Sequence, residues 1–364
     1  MNVLITLPAL TDQGGVAGFY QSVLPYLNAG VDCSRPVLLE IGSTKGINKT
    51  LYPLLDQLRF LSCISKNKFD IIHINPSLKI KSFLRDGMII YLAGLKRIPV
   101  LVFFHGWDVE FERQVETKLK WFFKKTYLKA NGFIVLASDF KKKLRDWGVT
   151  APIYMGTTAV DESILAKFSM PVKTKILQNS KQIKILFFSR IEKEKGIFET
   201  IDAFNILLKR GRDVSLSIAG DGSAMESVRS YITKKNVIAD RINLLGYVTG
   251  REKRTALMSH HIYCLPTYGE GMPTTVLEAM AFGMPVITRP VGGIKDFFVN
   301  GEMGFLADEK SPEIIADLID RLIGDRQKMA KMASYNHFFA KKHFMASVVG
   351  KKINDIYMRM IERA

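Results

Sequence analysis

The chain has 364 residues, of which 47% are hydrophobic, so its length and apolar content exclude a disordered protein and allow two domains with separate cores. Its 52 lysines and arginines against 35 aspartates and glutamates give a net charge of +17, which favours an anionic partner without identifying it. The three cysteines are far apart and form no C-x-x-C pair, which indicates neither a disulfide framework nor a zinc site.

Membrane-spanning and secretory segments are not predicted. No uninterrupted apolar stretch of about 18 residues occurs, and the start MNVLITLPAL lacks the basic region of a signal peptide. We therefore expect a soluble, cytoplasmic protein.

Short apolar runs alternate with helical patterns through the first half of the chain. The runs that predict strands buried on both faces are VLITLPA, PVLLEIG, FDIIHINP, PVLVFFHG and GFIVLAS, each followed by a candidate helix. Such alternation predicts an α/β domain with a doubly wound parallel sheet.

A basic and aromatic stretch lies near the end of this half. The segments RQVETKLKWFFKKTYLKANGF and FKKKLRDW interleave lysine and arginine with Trp121, Phe122, Phe123, Tyr127 and Trp147. One interpretation is a solvated helix face whose lysine stems cover apolar neighbours, and the other is docking on an anionic membrane surface. Nucleic acid is not an expected partner, because no recognised nucleic-acid module accompanies the charge.

The strand and helix cycle restarts after a polar, irregular segment at about 156–182. The second set of strands is IKILFFSRI, VSLSIAGDG, INLLGYV, HIYCLPT and PVITRPV, with helices at 196–210, 224–235 and 274–283. We expect Rossmann-like domains at 1–165 and 170–342, with a helix at 343–364 that packs back on the first domain. Ligands of such sheets bind at the carboxyl ends of the strands, so the cleft between the domains is the predicted site.

Two common signatures are absent. No G-x-G-x-x-G follows the first strand, which counts against a standard NAD site, and no G-x-S-x-G elbow of a serine hydrolase is present.

The segment YGEGMPTTVLEAMAFGMPV, residues 268–286, combines features of a nucleotide-sugar site. Pro273 suits the first turn of a helix, where the amides of Thr274 and Thr275 have no intrahelical acceptor and favour a phosphate. Glu278, about one turn further, is placed for the vicinal hydroxyls of a ribose. Glu270 precedes the turn and can reach past the phosphate to a hydroxylated group.

This segment resembles the retaining glycosyltransferases of family 4, or group 1, which have the GT-B fold of two Rossmann-like domains facing a central cleft. The resemblance is carried by the E-x7-E element Glu270 to Glu278, its continuation FGMPVITRPVGGIKDFFVNGEMGFL, and FFSRIEKEKGIFETIDAF, LSIAGDG and INLLGYV in the same order. It covers the second domain strongly and the first weakly, and it is closest to enzymes of bacterial surface-polysaccharide assembly.

The resemblance implies roles for residues of the second domain. Arg190 and Lys195 would neutralise the donor diphosphate, Glu278 would hold the ribose, and Glu270 would lie near the transferred sugar. Backbone amides near the helix start would bind the donor, and these belong to Gly271, Met272, Thr274 and Thr275. Pro273 departs from many relatives and donates no N–H at its position. Tyr247 is a candidate neighbour of the base, although a core or rim tyrosine is an equal alternative.

In the first domain, the resemblance assigns His105 to the reacting sugar and the loop of Gly14 and Gly15 to the donor phosphate. An ordinary turn remains an alternative for the two glycines, and a structural histidine for His105. His73 also ends a strand, but a structural role is expected for it more than a direct role at the site.

The expected activity is therefore a retaining hexosyltransferase that takes a nucleotide diphosphate sugar, with UDP as the expected nucleotide, to a glycan or lipid-linked acceptor. No cofactor and no metal are expected, since the nucleotide-sugar is a substrate. The alternatives are a nucleotide-sugar epimerase of the same fold and a non-catalytic module that binds an anionic polymer or membrane. Peripheral association with the inner face of the cytoplasmic membrane fits a lipid-linked acceptor.

Overall fold

The computed structural model describes residues 1–12, 14–27, 35–42, 52–234 and 239–363. They form two compact units, one of Met1–Ala159 with Ala346–Ala364 and the other of Val160–Met345. The first boundary between the units falls at 159/160, six to ten residues before the limits of 165 and 170 drawn from the sequence, and the second falls at 345/346, three residues after the predicted one.

The first unit contains a parallel six-stranded sheet in the order β2-β1-β3-β5-β7-β8. Strands β1 to β8 are Val3–Leu7, Val37–Glu40, Ile71–Ile74, Ser77–Leu78, Val100–Phe103, Gly106–Trp107, Gly132–Val135 and Ile153–Met155. The short strands β4 and β6 pair with each other outside the main sheet. The five predicted strands are all present, but β2 lies at the edge of the sheet and is mostly exposed, so the expectation of burial on both faces was wrong for it. Strand β8 was missed because it is a three-residue edge strand that ends exposed.

Helices α1 to α6 of this unit are Gly15–Val23, Tyr52–Lys66, Ile80–Leu95, Val109–Gln114, Lys120–Thr126 and Ser138–Asp146. A π-helical turn, Val115–Leu119, joins α4 to α5. The core beside the sheet is rich in stacked aromatic rings, as in the pairs of Tyr127 with Phe83, Phe104 and Phe123. These rings fix the positions of α3 and α5 against the strands.

Most aromatic residues of the basic stretch belong to this core. Phe122, Phe123, Tyr127 and Trp147 are buried, and only Trp121 is exposed. The alternation of lysine and aromatic residues therefore reflects amphipathic helices with a buried aromatic face and a solvated lysine face. Membrane docking through the interleaved aromatic residues would have only Trp121 to use.

The second unit contains another parallel six-stranded sheet, in the order β11-β10-β9-β12-β13-β14. Strands β9 to β14 are Ile183–Phe188, Val214–Ala219, Ile242–Gly246, Ile262–Leu265, Val286–Thr288 and Gly304–Leu306. The first strand of this unit, β9, lies centrally and pairs with β10 on one side and β12 on the other. This is the strand order of dinucleotide-binding folds, in which successive strands are added first on one side of β9 and then on the other, so the strand order reverses between β9 and β12.

Helices α7 to α14 are Met170–Asn179, Ile197–Lys209, Met225–Lys234, Gly250–Ser259, Thr274–Ala281, Ile294–Phe297, Pro312–Gly324 and Arg326–His343. The interpretation of 156–182 as an irregular link was wrong for α7, which packs against α14. Its apolar signal is weak because one of its buried side chains is a lysine, Lys173, whose ammonium donates to the carbonyls of Leu257, Met258 and His260.

The last helix, α15 (Ala346–Ile361), belongs to the first unit and packs against α1. The Asn354 amide donates to the Tyr26 carbonyl at 3.1 Å, and the Tyr357 hydroxyl lies 2.6 Å from Nδ1 of His73. Two parallel sheets with flanking helices confirm the predicted α/β fold class of two doubly wound domains.

Candidate active site

Two loops meet at the carboxyl ends of β9 and β12, the neighbouring strands between which the strand order of the second sheet reverses. Lys195 follows β9 and Glu270 follows β12, and Lys195 Nζ donates to Glu270 Oε1 at 2.7 Å. Both side chains are largely buried, with 9% and 14% of their surfaces exposed. The structure therefore brings together two of the predicted catalytic residues at the edge of the sheet where such folds bind ligands.

Gly196 allows these two loops to approach each other. Its φ of +75° lies in the left-handed region, and a Cβ there would lie 2.4 Å from the carbonyl oxygen of Pro266. The Tyr268 amide then donates to the Glu194 carbonyl at 2.8 Å. A glycine after Lys195 is thus required by the contact that sets Lys195 beside Glu270.

Gly292 supports the Glu270 loop from the other side. Its φ is +52°, and a Cβ there would lie 2.0 Å from the carbonyl oxygen of Glu270. The neighbouring Gly293 amide donates to the Gly271 carbonyl at 2.7 Å. Both glycines belong to the PVGG segment of the family pattern, and together they hold the Glu270 loop through close backbone contact.

Helix α11 begins beside this loop. Pro273 precedes its first residue, and no side chain caps this end of the helix. The Thr275 side chain is turned toward the protein, with Oγ1 at 2.7 Å from the Tyr263 hydroxyl. The amides of Thr274 and Thr275 lie in the first turn, where a helix offers no acceptor, while Gly271 and Met272 are half-buried in the loop before it.

Glu278 lies one turn into α11 and is buried. Lys253 Nζ of α10 donates to its Oε1 at 2.5 Å, and Oε2 is buried with no hydrogen-bond partner in the described protein. Burial raises the pKa of Glu278, and the adjacent Lys253 ammonium opposes this rise. One oxygen of this carboxylate is therefore held by a cation and the other is left with its acceptor capacity unused.

Arg190 and Tyr247 are not brought into these contacts. The Arg190 guanidinium is 70% exposed and pairs with Glu192 at 2.8 Å. Tyr247 follows β11 and is 58% exposed. Their predicted donor-binding roles stay predictions.

In the first unit, His105 lies just beyond the carboxyl end of β5 and joins a hydrogen-bond network. Its Nε2 lies 2.9 Å from Asn75 Oδ1, and the Tyr20 hydroxyl donates to the same oxygen at 2.8 Å. Asn75 Nδ2 donates to the Thr6 carbonyl at 2.9 Å, which fixes the orientation of the amide. The Asn75 oxygen therefore faces the imidazole.

This network assigns the tautomer of His105. Because Asn75 presents an acceptor, Nε2 carries the proton and Nδ1 is left as an acceptor. Burial lowers the pKa of His105 to about 3, so the ring is neutral at physiological pH. A neutral imidazole with a free acceptor nitrogen can bind a hydroxyl but cannot serve as an acid there.

Gly14 and Gly15 form the start of α1, whose Phe19 ring lies 4.9 Å from the His105 ring. Gly14 has an extended backbone with φ of 177°, and no protein atom lies within 4 Å of a Cβ built at either glycine. The described part of the first unit thus gives no packing reason for glycine at these two positions.

Comparison with family models decides the class of protein. Residues 171–337 match the model "Glycosyl transferases group 1", and residues 28–163 match "Glycosyltransferase Family 4". The chain therefore carries a group 1 and a family 4 glycosyltransferase domain. Lys195, Glu270 and Glu278 lie within the group 1 match, while Asn75 and His105 lie within the family 4 match.

Curated relatives agree with this assignment. The chain is 27% identical to the Staphylococcus aureus capsular polysaccharide biosynthesis glycosyltransferase CapM over 49% of this chain and 46% of that protein. It is 29% identical to Bacillus subtilis TuaC, named for teichuronic acid biosynthesis, over 69% of this chain and 61% of that protein. The chain thus spans about half to three fifths of the length of these relatives.

Solved structures of glycosyltransferases share the fold. Anabaena HepE in complex with UDP-glucose is similar with a TM-score of 0.74 at 18% identity, over 99% of this chain and 100% of that one. WaaG, a glycosyltransferase involved in lipopolysaccharide biosynthesis, has a TM-score of 0.67 at 14% identity, over 98% and 99% of the two chains. These likenesses confirm the GT-B fold class of the chain.

Sequence reasoning missed Lys253, as it missed Asn75. Lys253 lies 25 positions before Glu278 on a different helix, in the lysine- and arginine-rich segment GREKRTALMS. No spacing rule links the two positions, and one lysine among many bases gives no local signal.

In the described part of the chain, no cluster of three or more metal-ligating side chains occurs.

Proposed function

We propose that the protein is a retaining hexosyltransferase that moves a sugar from a nucleotide diphosphate sugar, with UDP as the nucleotide, to a glycan or lipid-linked acceptor in polysaccharide biosynthesis. The observation that carries this proposal is the pair of cation and carboxylate contacts around the start of α11, Lys195 with Glu270 and Lys253 with Glu278. The names of CapM and TuaC and the UDP-glucose complex of HepE support the substrate class.

The donor would bind across the start of α11. The Lys195 ammonium and the amides of Thr274 and Thr275 supply positive charge and N–H donors for a diphosphate. The unpartnered Oε2 of Glu278 supplies an acceptor for a ribose hydroxyl, while Lys253 holds the other carboxylate oxygen. Polar atoms that are buried without a partner in the protein are satisfied when a ligand brings one.

The same groups suit departure of the diphosphate. In the proposed front-face reaction, the bond between the sugar C1 and the phosphate oxygen breaks and its electron pair stays on that oxygen. The acceptor hydroxyl attacks C1 from the same face and passes its proton to the leaving phosphate oxygen. Lys195 and Arg190 would stabilise the developing negative charge without a metal, and Glu270 would contact the transferred sugar.

His105 would bind the donor sugar rather than protonate it. Its Nδ1 is the acceptor that Asn75 leaves available, and the neutral ring accepts a hydrogen bond from a sugar hydroxyl. No described residue packs where a Cβ would stand at Gly14 or Gly15, and this supports the proposal that their backbone approaches the donor phosphate.

A lipid-linked acceptor lies at a membrane, so the proposed place of reaction is the inner face of the cytoplasmic membrane. No helix among the described residues is long and apolar enough to cross a bilayer.

The deciding experiment is a panel of UDP-, GDP- and ADP-sugars scored by thermal shift, followed by calorimetry and a transfer assay in EDTA. We expect a UDP-sugar to raise the Tm and transfer to persist in EDTA. Glu278→Gln is the variant to compare with the wild type in these assays, because it keeps the shape of the side chain proposed to hold the ribose and removes its charge. Absence of binding by every nucleotide sugar at millimolar concentration contradicts the proposal, and conversion of the donor without an acceptor would identify an epimerase instead.

A further inference from the structure

Helix α3 of the first unit carries an apolar stripe on its exposed side. Ile80, Leu84, Met88 and Leu95 lie at positions i, i+4, i+8 and i+15, which fall on one face of a helix. Their exposed fractions run from 38% to 63%. The opposite face of α3 packs in the core, so this helix is apolar on both sides.

The stripe continues onto the two helices that flank α3. On one side α2 exposes Leu54 and Leu58, one turn apart, and its Gln57 side chain donates to the Arg85 carbonyl of α3 at 2.9 Å. On the other side α5 exposes Trp121. Three adjacent helices of the first unit thus each expose large apolar side chains.

The contact between α3 and α5 is close. A Cβ on Gly87 of α3 would lie 2.6 Å from the Phe122 ring of α5. One turn beyond α5, the Lys129 ammonium lies 5.5 Å from the centre of the Tyr91 ring of α3. Helix α5 and the turn that follows it therefore run along α3.

The charge of this surface has one sign. The sequences of α2, α3 and α5 contain two acidic residues, Asp56 and Asp86, and both are buried. Asp86 pairs with Arg85 at 2.7 Å, and Asp56 accepts from the Gly42 amide at 2.9 Å. The charged residues of these helices that are exposed are all basic, namely Arg59, Lys66, Lys81, Lys120, Lys124 and Lys125.

We infer that this surface, formed by the exposed sides of α2, α3 and α5, docks on the negatively charged face of a phospholipid bilayer. Apolar side chains enter the boundary between headgroups and acyl chains, while the surrounding lysines and arginines contact anionic headgroups. A second copy of the chain fits less well, because two identical basic surfaces would repel each other when paired. The docking surface lies mainly on α2 and α3, outside the basic stretch that the sequence pointed to.

This inference rests on the proposed function, because docking is useful to an enzyme whose acceptor is linked to a membrane lipid. Vesicle binding is measured without donor or acceptor. It can therefore fail while transfer to a soluble acceptor succeeds, or succeed while transfer fails.

The test is sedimentation of the full chain with vesicles of phosphatidylcholine, with or without phosphatidylglycerol. We expect sedimentation with the anionic vesicles at low salt, release at high salt, and a loss of affinity of about tenfold or more in the double variant Met88→Gln with Leu95→Gln. The matched control is Val172→Gln with Phe338→Gln, which removes two apolar side chains of the second unit that are at least as exposed as Met88 and Leu95. Far-UV circular dichroism and thermal unfolding verify that both variants fold.

A chain that stays in the supernatant with anionic vesicles overturns the inference. So does a Met88 and Leu95 variant that sediments like the wild type. A third outcome also overturns the inference. If no vesicle binding occurs, and sedimentation velocity without lipid shows a dimer for the wild type and the control but not for the Met88 and Leu95 variant, the surface is an interface between copies.

Discussion

The Lys195 ammonium donates a 2.7 Å hydrogen bond to the Glu270 carboxylate, joining two loops whose residues are 75 positions apart. Because both side chains are largely buried, each charge offsets the other in a site with little water. A bound diphosphate would share the ammonium with Glu270. The pair therefore keeps a positive charge buried and oriented before the donor arrives.

Replacing Lys195 by alanine should abolish most of the transferase rate. The change removes a cation that would act on the leaving diphosphate and leaves Glu270 without its partner, so we expect a loss of at least about a hundredfold in kcat/KM, equal to about 3 kcal/mol. Lys193→Ala, in the same short turn but exposed, is the control and should retain activity. Steady-state kinetics decide the matter, and a Lys195→Ala rate within twofold of wild type would remove Lys195 from the mechanism.

Lys253 should control the pH dependence of donor binding through Glu278. In the proposed donor complex a ribose hydroxyl would donate to the ionised carboxylate, so affinity should fall as the pH drops through the raised pKa of Glu278. Lys253→Met removes the cation that opposes this rise, so the pKa moves higher and the loss of affinity begins at a higher pH. At neutral pH we expect about tenfold weaker binding.

Calorimetry with the preferred UDP-sugar over the weakly acidic to neutral range measures this shift, because the diphosphate diester does not titrate there. Lys253→Arg keeps the charge and should follow the wild-type profile. Superimposable profiles for Lys253→Met and the wild type would show that Lys253 has no influence on the donor.

Asn75 should act as a positioning residue for His105. Asn75→Ala removes the acceptor of Nε2–H and frees the imidazole to rotate or change tautomer, which should lower kcat by an order of magnitude, roughly as for other partners that orient an imidazole. Tyr20→Phe is the control, since it removes the other hydrogen bond to Asn75 Oδ1 and leaves the one to His105.

Asn75→Asp gives a sharper signature than the alanine variant. A carboxylate beside the ring raises the pKa of His105 from its value of about 3, so the ring becomes cationic and loses its acceptor as the pH falls. The ¹⁵N chemical shifts of His105 and the pH profile of kcat/KM should move together. A pKa of His105 that does not change in this variant would contradict the assigned contact.

Gly292→Ala should disturb the Glu270 loop more than backbone strain alone explains. The added Cβ would lie 2.0 Å from the Glu270 carbonyl oxygen, so that loop must move, and the left-handed φ adds a cost of about 1 kcal/mol or more in the free energy of unfolding. Gly250→Ala has nearly the same φ, +49°, with no protein atom within 4 Å of the new Cβ. Thermal unfolding should show destabilisation in both variants, whereas kcat/KM should fall only in Gly292→Ala, and equal losses of activity would contradict the role of the contact.

The sequence was most informative where apolar runs are long and least informative where a contact joins distant residues. Strands such as β1 and β9 are continuous apolar runs, so their existence and order follow from the pattern. The three-residue strand β8 and the helix α7, with its buried Lys173, carry too little pattern to be predicted.

The candidate site divides in the same way. The E-x7-E segment predicted Glu270 and Glu278, because their spacing lies within one loop and one helix. The partners Lys253 and Asn75 were missed, because each lies on a different element from the residue it contacts. Lys253 of α10 reaches Glu278 of α11, and Asn75 after β3 reaches His105 after β5. The lysine and aromatic alternation predicted an amphipathic surface, but only the fold reveals which aromatic residues remain exposed.

The return of α15 to the first unit has a consequence for biosynthesis. Tyr357 of α15 reaches His73 across 284 positions of sequence, and α15 packs against α1. The second unit, in contrast, is one continuous stretch from Val160 to Met345. On the ribosome the second unit can therefore be completed before the first has received its last helix, so the first unit begins earlier in synthesis and is finished later.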